Sequence, residues 1–299
     1  MSIDTVVKKL RPLGMKMQEP MRLHTKMKVG GPADIYYEAS DSKELEEGIR
    51  LAIEQKVSYL VIGNGANVLV SDEGIRGLVI QNHSSTLKFL PFGFVEVDSG
   101  VDNTDLVTQA KNRGLAGMER LLKVPGTIGG AVFMNAGDTG KKEFFGGLVE
   151  WVHVIDKEGK TKKLSKKECE FGYRSSRFQA SGEIILKVKV QLQQVGKEEI
   201  EVKAKDILVR KMRQPSGATV GSTFKNPAGD HAGRLIEQCG LKGKKIGSAK
   251  ISEKHANFII NEGNATAANV KELIDLVKRS VKEKCNVDLE EEVRYIGEW

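Results

Sequence analysis

The sequence predicts an α+β protein of two or three parts, the last over residues 197–299. Three observations carry that prediction. Short strand-like runs and amphipathic helices are interspersed along the chain with no internal repeat or low-complexity run. Two glycine-rich turns, at 63–67 and 124–137, interrupt the regular pattern ahead of the last part. Gly196 ends an alternating strand just before a charged helical stretch, which sets the start of that part.

In order, residues 1–20 are weakly periodic and read as a helical or loose lead-in. Residues 23–29 alternate like a strand, are stopped by Gly30-Gly31-Pro32, and are followed by the strand Ile35-Tyr36-Tyr37. Asp41 with Glu44 makes a capping box for a helix over 42–56, whose Leu45, Ile49, Ala52 and Ile53 share one face. That helix delivers the chain to a buried strand at 59–62. Strands are expected at 77–80, 87–90 and 94–97, and a helix over 102–112 turns Leu106, Val107 and Ala110 inward. Residues 148–155 and 161–164 read as a hairpin around Lys157-Glu158-Gly159-Lys160, and 184–192 as an alternating strand. The last part reads as helices over 198–212, 231–239 and 266–284, with strands at 257–260 and 293–296. Its last strand is free to return to the earlier parts.

Composition narrows the function classes. A chain of 299 residues with 39% hydrophobic content builds real cores without staples. Cys169, Cys239 and Cys285 are odd in number and widely spaced, so reduced thiols are expected and no metal site. The opening residues lack the apolar run of a signal peptide and no segment approaches membrane-spanning length, so a cytoplasmic protein without a membrane partner is expected. The net charge of +7 would admit nucleic acid, but the lysines are spread out and aromatic content is only 6%. An anionic small molecule explains the sign equally well.

The stretch from Val124 to Gly137 puts four glycines and a proline into fourteen residues, a pattern that no packed helix or strand is expected to carry. Successive open N–H groups in such a turn form a concave anion site, which points to a pyrophosphate-bearing cofactor. Gly63-Asn64-Gly65-Ala66-Asn67 is the second such turn. It is not a Rossmann fingerprint, because the third glycine is absent and a strand follows; nor does a Walker motif occur.

Four segments together resemble the UDP-N-acetylenolpyruvoylglucosamine reductase family. They are Gly30-Gly31-Pro32-Ala33, the turn from Gly63 to Asn67, the loop from Pro125 to Gly137, and the set formed by Tyr173-Arg174-Ser175, Gly221-Ser222-Thr223-Phe224-Lys225-Asn226-Pro227 and Glu292-Val293-Arg294. The resemblance runs from about residue 20 to 297. It implies a two-subdomain FAD-binding module of the vanillyl-alcohol-oxidase type, residues 1–85 and 86–196, and a C-terminal α+β domain for a UDP-sugar substrate. It also implies non-covalent FAD, NADPH as hydride donor, and a product, UDP-N-acetylmuramate, used in peptidoglycan synthesis. Hydride would pass to the methylene carbon of the enolpyruvyl group, leaving negative charge at the neighbouring carbon and its carboxylate.

On that resemblance Arg174 supplies the fixed cation, Ser222 the proton, and Glu292 the acid near the carboxylate. A planar guanidinium suits a carboxylate, and a placed proton donor contributes roughly 100- to 10,000-fold. Of Glu290, Glu291 and Glu292 the family signature selects the last, to be protonated or paired when substrate is bound, while its two neighbours are expected in solvent. Backbone N–H groups of Gly63, Asn64, Gly65, Ala66 and Asn67, and of Gly126, Thr127, Ile128, Gly129 and Gly130 after Pro125, are expected to hold the flavin pyrophosphate. Ala131, Asn135, Ala136 and Gly137 complete that loop. Ala66 stands where the family usually has serine. Tyr173, Arg210, Lys225 and Asn226 are the expected substrate contacts, and His255 and His24 are given structural roles. The chain lacks the tyrosine-bearing insertion of one family branch. A sugar or alcohol oxidase of the same fold is the competing reading, and a basic nucleic-acid-binding protein the next; the set Arg174, Ser222 and Glu292 separates the first.

Overall fold

The computed structural model describes residues 3–138 and 140–299. The chain forms two compact units: residues 1–16, 35–64 and 77–211 in the first, and 17–34, 65–76 and 212–299 in the second.

In the first unit Thr161–Ser165, Val149–Ile155, Ile184–Gln191, Phe94–Asp98 and Leu87–Phe89 form, in that order, an antiparallel sheet. The two-residue period turns Val152, Val188, Val190, Val95 and Val97 inward. The helices Asn103–Asn112 and Ile128–Phe133 add Leu106, Val107, Ile128 and Val132 to this core. Each such side chain contributes roughly 1.5–3 kcal/mol on burial. A separate core in the same unit packs Leu45 and Ile49 of the helix Ser42–Gln55 with Ile35, Tyr37, Leu78 and Ile80. There Tyr59–Ile62 runs parallel to residues 78–81. Asp41 caps the helix by accepting the N–H groups of Lys43 and Glu44. Glu44 reaches back to Ser40 rather than to Asp41, one residue short of the box read from sequence.

The helix Lys197–Met212 belongs to the first unit up to Lys211, beyond the boundary read at Gly196. Its Ile200 and Ala204 face Leu115 and Met118 across a small cavity. That packing, invisible to a composition break, draws the helix into this unit.

The second unit is built on the antiparallel sheet Ala218–Ser222, Phe258–Asn261, Ala249–Ile251, Lys245–Ile246. The helices Ala232–Gln238 and Ala267–Cys285 share its core through Leu235, Ile236, Leu273, Ile274 and Val277. Thr266 and Asn269 make a capping box at the long helix. The carboxylate of Asp72 accepts the N–H groups of Ala267 and Ala268, both at 2.9 Å, so a distant segment satisfies two of the helix's orphan donors. Arg294–Ile296 pairs in parallel with Val68–Val70.

Residues 23–29 are not the expected strand. Met21–Leu23 is a 3₁₀ turn and Lys28 adopts φ 55°, while Met27 and Val29 are buried beside Leu69. The alternation there records burial of two side chains by an irregular segment. Ala218–Ser222 and the hairpin Lys245–Ile246/Ala249–Ile251 carry strands where the sequence suggested turns or nothing.

Candidate functional site

The glycine-rich loop is not all loop. Residues Ile128–Phe133 form a short helix with Ile128, Ala131 and Val132 buried, and Thr127 caps it by accepting the Gly130 N–H at 3.4 Å. Gly126, at φ 129°, makes the entry bend a side chain would resist. The helix uses donors that were expected to face an anion: Ile128 N–H bonds Val101 O at 2.9 Å and Gly129 N–H bonds Ser99 O at 2.8 Å. At its entry, the N–H groups of Gly126 and Thr127 have no acceptor among the described residues.

The turn at Gly63 lies directly on this loop. A Cβ at Gly63 would stand 2.4 Å from Thr127 Oγ1, and the Asn64 side chain donates to Asp102 at 2.9 Å. Asp102 caps the helix Asn103–Asn112 and forms a bridge with Thr127. The N–H groups of Asn64, Gly65 and Ala66 have no acceptor among the described residues. A glycine seat closed to any Cβ, beside open main-chain donors, fits an extended pyrophosphate such as that of a flavin dinucleotide. Gly65 and Ala66 open a segment of the second unit, where Gly65 sits at φ 58° against His24 O. Asn67 serves another purpose: its side chain donates to Glu292 O at 3.0 Å and its carbonyl accepts from Arg294.

Arg174 lies in the first unit, in a tight turn from Gly172 to Ser175 whose ends exchange hydrogen bonds at 3.0 and 3.3 Å. Its backbone is left-handed at φ 52°. The guanidinium donates to Gly137 O at 3.2 Å and lies over the Tyr173 ring. Asn135, expected at the cofactor, spends its amide on Gly172 O and Gly146 N–H. Arg210, an expected substrate contact, is held in ion pairs with Asp138 at 2.7 Å and Asp206 at 3.2 Å. Burial alone would raise the Asp138 pKa, but the Arg210 hydrogen bond and neighbouring N–H donors bring it below the carboxylate range. Lys211, passed over in the sequence, is half-buried, while Arg210 is exposed. Burial, with the charges of Arg174 and Arg210, pushes its ammonium down while Asp138 opposes them.

Ser222 and Glu292 lie in the second unit on adjoining segments. Ser222 ends the strand Ala218–Ser222 opposite Phe258, after Gly221 bends the chain at φ 79°. Glu292 N–H donates to Thr223 O at 2.8 Å, and Phe224 bridges Glu291. These backbone bonds bring together the segments of two of the three residues that the family signature selects. Of the neighbouring glutamates, Glu290 is in solvent as expected, paired with Lys225, whereas Glu291 is 18% exposed and pairs with Lys278 at 2.7 Å. Lys225 is thereby engaged, and Asn226 caps the helix Ala232–Gln238 by accepting Ala232 N–H at 3.1 Å. His255 has its expected structural role, accepting from Asn257 N–H and packing on Phe258, with its pKa lowered by burial. His24 is paired with Glu19. Among the described residues no group of three or more histidines, cysteines or acids could hold a metal ion, and no helix is long and apolar enough to cross a membrane.

Residues 33–165 match the family model described as an FAD binding domain, and residues 210–296 that described as the UDP-N-acetylenolpyruvoylglucosamine reductase C-terminal domain. An α+β fold with a flavin-binding module and this glycine seat defines an FAD-dependent oxidoreductase. The UDP-N-acetylenolpyruvoylglucosamine reductase of Clostridium botulinum (strain 657 / Type Ba4) is 41% identical over 291 residues, 94% of this chain and 92% of that one. Reductase 2 of Symbiobacterium thermophilum is 40% identical over 96% of this chain and 93% of its own. The crystal structure of the enzyme from Thermus caldophilus superposes with a TM-score of 0.81 at 35% identity, covering 94% of this chain and 98% of the other. The chain belongs to the UDP-N-acetylenolpyruvoylglucosamine reductase family.

Proposed function

We propose that this chain reduces UDP-N-acetylglucosamine enolpyruvate to UDP-N-acetylmuramate in peptidoglycan precursor synthesis, with NADPH as the reductant. FAD, when bound, supplies the two-electron hydride chemistry. Asn64, Gly126 and Thr127 would hold its pyrophosphate through their main-chain N–H groups. Arg174 receives the substrate carboxylate and stabilises the charge that grows there, with Lys211 adding to the positive field. Ser222 holds at Oγ the proton given to the carbon beside the carboxylate. Glu292, on the segment whose N–H bonds Thr223 O next to Ser222, hydrogen-bonds the carboxylate end. Tyr173 orients the substrate, and the protein works in the cytoplasm on small molecules rather than nucleic acid.

The observation that carries this reading is the pairing of the Ser222 and Glu292 segments through Glu292 N–H and Thr223 O, clamped from the other side by Asn67. The test separates the two half-reactions. In Ser222→Ala, anaerobic NADPH should bleach the flavin within about 2-fold of the native rate, while reoxidation by the enolpyruvyl nucleotide slows roughly 100- to 10,000-fold. Equal impairment of both halves would remove Ser222 from its role. Reoxidation by oxygen alone, with no response to the nucleotide, would favour the oxidase reading.

A further inference from the structure

The turn that presents Arg174 is held by two side-chain amides, those of Asn135 and Gln179. An arginine at φ 52° sits in a conformation that costs about 1 kcal/mol or more, so something outside the turn must impose it. Two carbonyls of the turn are captured by side chains from outside it. Gly172 O accepts from the Asn135 amide at 2.7 Å, and Arg174 O accepts from the Gln179 amide at 3.1 Å. Asn135 lies two residues past the end of the short helix in the glycine-rich loop, and Gln179 is hydrogen-bonded to that end. Gln179 donates a second time, to Phe133 O at 3.0 Å, and Asn135 Oδ1 accepts Gly146 N–H at 2.8 Å. Ser176 adds a bond to Phe133 O at 2.7 Å. Phe133 is the last residue of that helix, where carbonyls have no intrahelical partner and serve as attachment points.

We propose that Gln179 and Asn135 are positioning residues. They tie the Arg174 turn to the end of the helix that starts at the flavin loop, and so fix the left-handed backbone from which the guanidinium projects. The assignment rests on the reading of Arg174 as the carboxylate-binding residue. A side-chain amide suits the task because it is neutral: it holds a carbonyl without placing a charge beside Arg174.

The test uses the flavin-loaded full chain and a double-mutant cycle. Gln179→Met keeps the length of the side chain and removes both donors. It should retain the flavin and its reduction by NADPH within about 2-fold, while slowing reoxidation by the enolpyruvyl nucleotide roughly 10- to 100-fold, the scale of a misplaced catalytic group. In an Arg174→Ala background the same substitution should add less than about 3-fold, because a residue acting through Arg174 has nothing left to act on. Asn135→Asp, which keeps the acceptor for Gly146 N–H but loses the donor to Gly172 O, is the second variant and should follow the same pattern. Effects that multiply in the Arg174→Ala background, or a loss that falls equally on both half-reactions, would overturn the proposal. Arg174→Ala with undiminished reoxidation would instead overturn the reading of Arg174 on which it rests.

Discussion

Glu183→Gln is the substitution whose cost the structure defines best. The Glu183 carboxylate is 5% exposed and receives Arg177 in a two-pronged arrangement, Nε at 2.9 Å and Nη2 at 3.3 Å, with Lys162 at 2.8 Å. Arg177 in turn donates to Glu168 O and Cys169 O, so this carboxylate anchors the base of the turn that carries Arg174. Burial alone would raise the Glu183 pKa, but Lys162 and Arg177 bring it below the ordinary range. Removing one partner of a buried pair costs about 3–5 kcal/mol; with Lys162 45% exposed, the low end, about 3 kcal/mol, applies here. At about 2–4 °C per kcal/mol, Tm should fall by roughly 6–12 °C in thermal unfolding followed by circular dichroism at pH 7. A folded pKa held below the unfolded value means that this stabilisation is fully present above about pH 5 and is lost as pH falls through the depressed folded value. The gap between native and variant protein should therefore close in acid. A fall in Tm under about 2 °C at pH 7, or a gap that stays constant as the solution is acidified below about pH 4, would refute the reasoning.

Gly63→Ala should weaken flavin retention: its Cβ would stand 2.4 Å from Thr127 Oγ1, and overpacking of this kind costs about 1–3 kcal/mol, read as roughly 5- to 150-fold in flavin Kd by fluorescence titration. Asp72→Ala should cost about 1–2 kcal/mol by removing the acceptor for Ala267 and Ala268 N–H, seen in urea unfolding as a lower midpoint at constant slope. Thr223→Val should raise stability by about 1 kcal/mol, because Thr223 Oγ1 is buried with no hydrogen-bond partner among the described residues; a lower Tm would show that the hydroxyl is satisfied. Cys169 is buried, and that burial pushes its thiol up to about 12, so it should react with a disulfide reagent only after Cys285 in the folded protein.

The helices were readable because their signals are local. Asp41 before the helix Ser42–Gln55 and the apolar stripe of Ala267–Cys285 decide those elements without help from distant residues. The glycine-rich loop was legible as a close-approach site yet not as a helix, since Ile128, Ala131 and Val132 earn their helical turn from burial in the sheet's core. Glu292 could be chosen among three glutamates only through the family signature; Lys278 and Lys225, which pair with its neighbours, are brought to them by the fold. That Lys211 rather than Arg210 is the more buried cation has the same origin. Which of two adjacent helical residues faces inward depends on how the helix is rotated against its neighbours, and the helix Lys197–Met212 carries apolar residues on its exposed side too, Val202, Val209 and Met212, so its pattern does not announce it.

The parallel pairing of Arg294–Ile296 with Val68–Val70 sets an order on biosynthesis. Residues 17–34 and 65–76 leave the ribosome early, carrying Met27, Val29 and Leu69, whose core is completed by Leu273, Ile274 and Val293 over two hundred positions later. The first unit can close around its own strands once Lys211 has emerged, but these apolar side chains must wait for the rest of translation. They are thus the natural targets for chaperone capture on the nascent chain, and a ribosome stalled between residues 211 and 290 should release a protein with one folded unit and an exposed, aggregation-prone remnant of the other.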